Sequence, residues 1–65
     1  MATTSSANIA DVAHAINTVG KYFHKACYDS SNSRVMIAQG TAAADTWKTV
    51  ADFGAGDAIV TVTPA

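Results

Sequence analysis

Between Ile9 and Ala26 the apolar residues Ile9, Val12, Ile16, Val19, Phe23 and Ala26 recur at alternating intervals of three and four. That spacing places them along one narrow stripe of an α-helix. Beside the stripe, Ala13, Gly20 and Cys27 recur every seven residues, and all three are small. The pattern predicts a packing helix over residues 8–28. Asn8 is its N-cap, and Asp11, three residues on, is the return partner of an imperfect capping box. Lys21, His24 and Lys25 fall in its last turns, where cations favour the negative end of the helix dipole. Glycine inside a helix costs about 1 kcal/mol relative to alanine. Gly20 therefore reads as a point where a partner backbone approaches the small-residue row, and Gly20→Ala is expected to destabilise by overpacking. Residues 1–7 form a Thr/Ser-rich, flexible lead-in.

Asp29-Ser30-Ser31-Asn32-Ser33 is a run of polar turn formers that ends the helix. After it, Arg34 to Gln39 reads as a strand, with Val35 and Ile37 on one face and Met36 and Ala38 on the other. Both faces are apolar, which suits a central strand. Thr46 to Phe53 is ambiguous. As a helix begun at Thr41 it would align Ala43, Trp47 and Val50; as a strand it turns Trp47 inward and Lys48 outward. The strand is favoured, because Gly54-Ala55-Gly56-Asp57 then makes a hairpin loop into the β-forming run Ala58 to Thr63. Pro64 stops that strand. The fold class expected is α+β: one N-terminal amphipathic helix on a small antiparallel sheet of about three strands. It forms a single domain over 8–65, with the β-rich region at 34–63.

Sixty-five residues bound what such a fold can bury. A domain of this size removes only about 60% of its unfolded surface from water. The chain has fourteen alanines and no leucine or glutamate. Alanine buries little area, so a sparse core favours association with other subunits. The formal net charge is −1, which gives no long-range field for capturing nucleic acid or anionic membrane. No apolar run approaches the roughly 18 residues of a membrane span, and no basic region followed by an apolar core reads as a secretory signal. One cysteine cannot form an internal disulfide.

The candidate chemistry is thin. His24 and Cys27 lie three apart and could reach one metal ion on a helix, but structural zinc needs four ligands, and His14 lies about 80° away around the axis. The same pair as base and nucleophile lacks an orienting acid and an oxyanion hole. Cys27 fits better as a small packing residue. Gly54-Ala55-Gly56 precedes no helix and so offers no phosphate site. No catalytic residue, metal or cofactor is therefore expected. Lys21, Lys25 and Arg34 could make a small basic patch, the basis of an alternative reading as a nucleic-acid-binding regulator. Trp47 reads as a core residue or as an interface anchor.

The C-terminal half, RVMIAQGTAAADTWKTVADFGAGDAIVTVTPA, resembles in texture small structural modules of tailed-phage virions. Capsid cement proteins, head fibres and tail attachment domains share such Ala/Thr-rich, charge-poor strands, an isolated "TW" and Gly-rich turns. No residue motif is shared, so no functional residue is carried over. The resemblance implies a non-enzymatic structural protein, made in a host cytoplasm and residing in the virion. Its partners would be copies of itself or another protein, such as a capsid or tail component, with no membrane and no nucleic acid. Ile9, Val12, Ala13, Ile16, Val19, Gly20, Phe23, Cys27 and Trp47 are the expected interface.

Overall fold

The computed structural model describes residues 1–49 and 59–65, and the chain forms a small sheet crossed on one face by an irregular segment. Its elements are β1 (Ala2–Thr4), α1 (Ser6–Ile9), α2 (Ala15–Thr18), β2 (Ala26–Asp29), β3 (Arg34–Ala38), β4 (Trp47–Thr49) and β5 (Thr61–Val62). The strands lie side by side in the order β1-β2-β3-β4-β5. β1 pairs parallel to β2, and the other neighbours are antiparallel. A parallel neighbour demands a crossover, and residues 5–25, carrying α1 and α2, supply it.

The helix expected over residues 8–28 is not formed. Two helices of four residues each replace it, and its last part is strand β2. Local polar side chains explain the break, because they offer the backbone alternatives to the helical ladder. Ser5, not Asn8, is the first N-cap, accepting a hydrogen bond from the Asn8 amide. The Asn8 side chain donates instead to Thr4 Oγ1 at 2.9 Å. Asp11 Oδ1 accepts from the Ala13 N–H at 3.0 Å, closing a turn after α1 rather than a capping box. His14 Nδ1 then caps α2 by accepting from the Ile16 N–H at 3.0 Å. With Ile, Val, Asn, Thr and Gly at eight of the 21 positions from 8 to 28, helix propensity is too weak to override these turns.

The apolar stripe is divided accordingly. Ile9 and Ile16 are buried, Val12 and Ala26 are half-buried, and Val19 and Phe23 are exposed. The lead-in is also corrected: Ala2–Thr4 is an edge strand, in register with Cys27–Asp29. Ser30 fixes its end by donating from both backbone N–H and Oγ to the Thr4 carbonyl.

Among the described residues the sheet has five strands rather than about three. β3 is the central one, as its two apolar faces require. One face carries Cys27, Met36, Ala38 and Trp47 into the core with Ile9 and Ile16, and Ala2 and Val62 pack against them. Tyr28, Val35 and Ile37 occupy the other face half-buried. The polar run after Cys27 does make a turn, although it joins two strands. Asp29, almost fully buried, organises it by accepting from the Ser31 and Asn32 amides, the Asn32 side chain and Arg34 Nε. Trp47 is buried in a strand with Lys48 outward, so the strand reading holds at its start. The hairpin at Gly54–Asp57 lies outside the described residues. Beyond β5, Ala65 exchanges backbone hydrogen bonds with Ala10 and Val12, which places Pro64 in a buried position.

The close-approach reading of Gly20 is replaced by a backbone one. Gly20 is exposed with φ near +70°, and the nearest atom to an added Cβ would be Lys25 Nζ at 3.8 Å. Nothing crowds the site, but an L-residue is strained there. Gly20→Ala is therefore expected to lower stability by about 1 kcal/mol through strain, with association unchanged. Urea unfolding and sedimentation check both halves.

Candidate interaction surface

The segment from Val19 to Lys25 leaves the crossover and enters β2 with its large side chains divided between two environments. Val19, Tyr22 and Phe23 are 68%, 58% and 55% exposed, whereas Lys21 between them is 7% exposed. Positive φ at both Gly20 and His24 lets the backbone reverse twice over this short span. The reversal is pinned to the sheet. The His24 N–H donates to the Ala38 carbonyl at 2.8 Å, and the Ala38 N–H donates to the Lys25 carbonyl at 2.9 Å. The Lys25 N–H closes a turn on the Tyr22 carbonyl at 3.0 Å.

Aromatic contacts order the outer side. The Phe23 and His24 rings stack with centroids 3.7 Å apart. Lys25 Nζ lies 5.9 Å from the Tyr22 ring centroid and donates to the Gly20 carbonyl at 3.2 Å. The result is an apolar, aromatic projection on a backbone tied to the central strand. Large apolar groups held this way lose little conformational freedom on binding, and Tyr is enriched among residues that dominate protein interfaces.

Beneath the projection lies a buried polar network. Asn17 Oδ1 accepts from Trp47 Nε1 at 2.7 Å and from Lys21 Nζ at 3.1 Å. Asn17 Nδ2 donates to the carbonyls of Ile9 and Asp11, each at 2.9 Å. Both donors and both acceptor positions of the amide are thus used. Lys21 Nζ also donates to the carbonyls of Ala43 and Asp45, at 3.2 and 2.6 Å. Burial pushes the Lys21 ammonium below its usual range, and the Asp45 carboxylate partly opposes that shift. Among the described residues, every buried side-chain nitrogen and oxygen has a partner.

The residues expected at an interface therefore separate. Val19 and Phe23 reach the surface together with Gly20, and Ala13 is exposed elsewhere on the crossover. Ile9, Ile16, Cys27 and Trp47 are spent on the chain's own core, and Val12 is half-buried. Tyr22, which the heptad seam did not include, completes the projection. The basic patch does not assemble either. Lys21 is internal, Arg34 Nε is paired with Asp29 Oδ2 at 3.2 Å, and Lys25 is turned to the Gly20 carbonyl.

The helical argument that brought His24 and Cys27 together has no basis here, since His24 is on an exposed turn and Cys27 is sealed in the sheet. Among the described residues no three of His, Cys, Asp and Glu are grouped to hold a metal ion. The chain matches no protein-family model, no curated protein and no solved structure.

Cys27 carries a pH signature. Burial pushes its thiol above the ordinary value; Asp29 acts in the same direction, while Lys25 and the Thr4 backbone oppose it. The unfolded chain therefore releases this proton first, and Cys27 reduces stability as pH rises past about 8.5. Cys27→Ala leaves a cavity and lowers stability at neutral pH. The gap between variant and wild type is nevertheless expected to narrow on going alkaline, by up to about 1.4 kcal/mol per pH unit. Urea unfolding across that range measures it.

Proposed function

We propose that this chain is a non-enzymatic structural protein of a larger assembly, a component of a phage virion that acts through protein–protein contacts. The observation that carries the reading is the projection of Val19, Tyr22 and Phe23, exposed and apolar on a backbone tied to the central strand. Completing the burial of each side chain contributes on the order of 1–2 kcal/mol, enough for three together to anchor a contact. A net charge of −1 leaves such contacts little electrostatic repulsion to overcome. The Ala/Thr-rich, charge-poor texture of the C-terminal half supports a capsid cement, accessory or attachment protein in particular. The partner is a second copy of the chain or a neighbouring capsid or tail protein, and the site of residence is the virion, after synthesis in the host cytoplasm. Among the described residues no helix is long and apolar enough to cross a membrane.

The test is association at constant fold. Tyr22→Ser with Phe23→Ser alters exposed positions, so the unfolding free energy is expected to stay within about 0.5 kcal/mol of wild type. Sedimentation at micromolar concentration is expected to show oligomers for the wild type and monomers for the double variant. A wild-type chain that stays monomeric, and that is not found in purified particles, would contradict the proposal.

A further inference from the structure

Among the described residues Lys21, although buried, has no carboxylate at ion-pair distance. Among the described residues the salt bridge is Arg34 with Asp29. The Lys21 ammonium is contacted directly by oxygen dipoles and an aromatic face, with the Asp45 carboxylate acting from farther off. Nζ lies 3.1 Å from Asn17 Oδ1, 3.2 Å from the Ala43 carbonyl and 2.6 Å from the Asp45 carbonyl. It also lies 5.2 Å from the Trp47 ring centroid. An ammonium has three donors and no acceptor, and three oxygens receive them here. Cation recognition by a ring face completes the set.

The cage is shaped by contacts that do not involve Lys21. Asn17 is oriented by the carbonyls of Ile9 and Asp11 and by the Trp47 indole. The loop from Gly40 to Thr46 is folded on Asp45, whose Oδ2 accepts from the Ala42 N–H at 2.9 Å and whose N–H donates to the Ala42 carbonyl at 3.0 Å. Asp45 packs so closely on Gly40 that a Cβ there would collide with its carboxylate. Loop and carboxamide thus hold their positions through their own bonds.

We infer that Asn17 Oδ1, the Ala43 and Asp45 carbonyls and the Trp47 face form a binding site for a primary ammonium ion, which the chain fills with its own Lys21 side chain. The inference does not rest on the virion reading. Shortening Lys21 to alanine removes Cγ to Nζ, the atoms of propylammonium. The emptied site is expected to take that free cation, with half-saturation on the order of 1 mM, within the affinity open to a ligand of four heavy atoms. Guanidinium, planar with a fixed fork of donors, matches the three oxygens poorly.

The experiment compares Lys21→Ala with Lys21→Met, in which the methionine stem fills the same space. Propylammonium chloride is expected to raise the melting temperature of Lys21→Ala in a saturable way and to shift its Trp47 indole N–H resonance. Sodium chloride at equal ionic strength and propanol should do neither, and Lys21→Met should not respond to any of them. An equal response to propanol, or none to propylammonium in a folded Lys21→Ala, would overturn the assignment. Should Lys21→Ala fail to fold, reductive methylation of the native wild type decides the matter. Lys25 and Lys48 are expected to be modified while Lys21 is protected, and equal modification of all three would show that the cage does not hold the ammonium.

Discussion

One buried carboxamide holds the crossover against the sheet. Asn17 ties the end of α1 and the following turn to α2 through the carbonyls of Ile9 and Asp11, and ties both to the sheet through the Trp47 indole. A typical hydrogen bond of this kind contributes only about 0.5–1.5 kcal/mol net, but a buried group left without its partner costs about 1–3 kcal/mol. Loss of Asn17 would orphan the Ile9 carbonyl and the Trp47 indole together, while the Asp11 carbonyl would keep the His14 N–H. Among the described residues the core is built from two isoleucines, a methionine, a cysteine, an alanine and a tryptophan. The network therefore does more than its bond count suggests, because it selects one position for a crossover that has almost no regular structure of its own.

The same network positions the exposed surface. Lys21 points inward to Asn17 and to the carbonyls of Ala43 and Asp45, so its neighbours Tyr22 and Phe23 are turned outward. The backbone bonds of His24 and Lys25 with Ala38 hold the far side of the projection. Apolar exposure here follows from the path the chain must take into β2, with both Gly20 and His24 in the left-handed region. A surface fixed at both ends and through its centre keeps one shape.

The legible and illegible parts of the fold divide by range. β3 was readable because Arg34 to Ala38 alternates two apolar faces between turn formers, and the Asp29–Ser33 turn because Asp29 bonds locally to Ser31 and Asn32. Trp47 as an inward strand residue was readable from the same alternation. The span from Ile9 to Ala26 misled because its three-and-four spacing is also met by two short turns followed by a strand. The decisive signals were local competitors for helical hydrogen bonds, Ser5, Asp11 and His14, together with a low summed helix propensity. β1 was invisible, since a three-residue edge strand carries no periodicity and depends wholly on pairing with Cys27–Asp29. Asn17 carries no signal in the pattern, and Lys21 reads as a cation at a helix end or in a basic patch. Their burial is set by Trp47, Ala43 and Asp45, which are distant in sequence.

The central claim is that the Asn17–Trp47 bond forms and breaks only with the whole fold. Native-state hydrogen exchange of the Trp47 indole Nε1–H, followed by NMR, tests this most directly. The account expects the indole proton to exchange through global opening, with the same free energy as the slowest backbone amides of β3. An indole proton that exchanges orders of magnitude faster than those amides, while the sheet stays protected, would show that the crossover opens independently. In that case Asn17 would not be the element on which the fold depends.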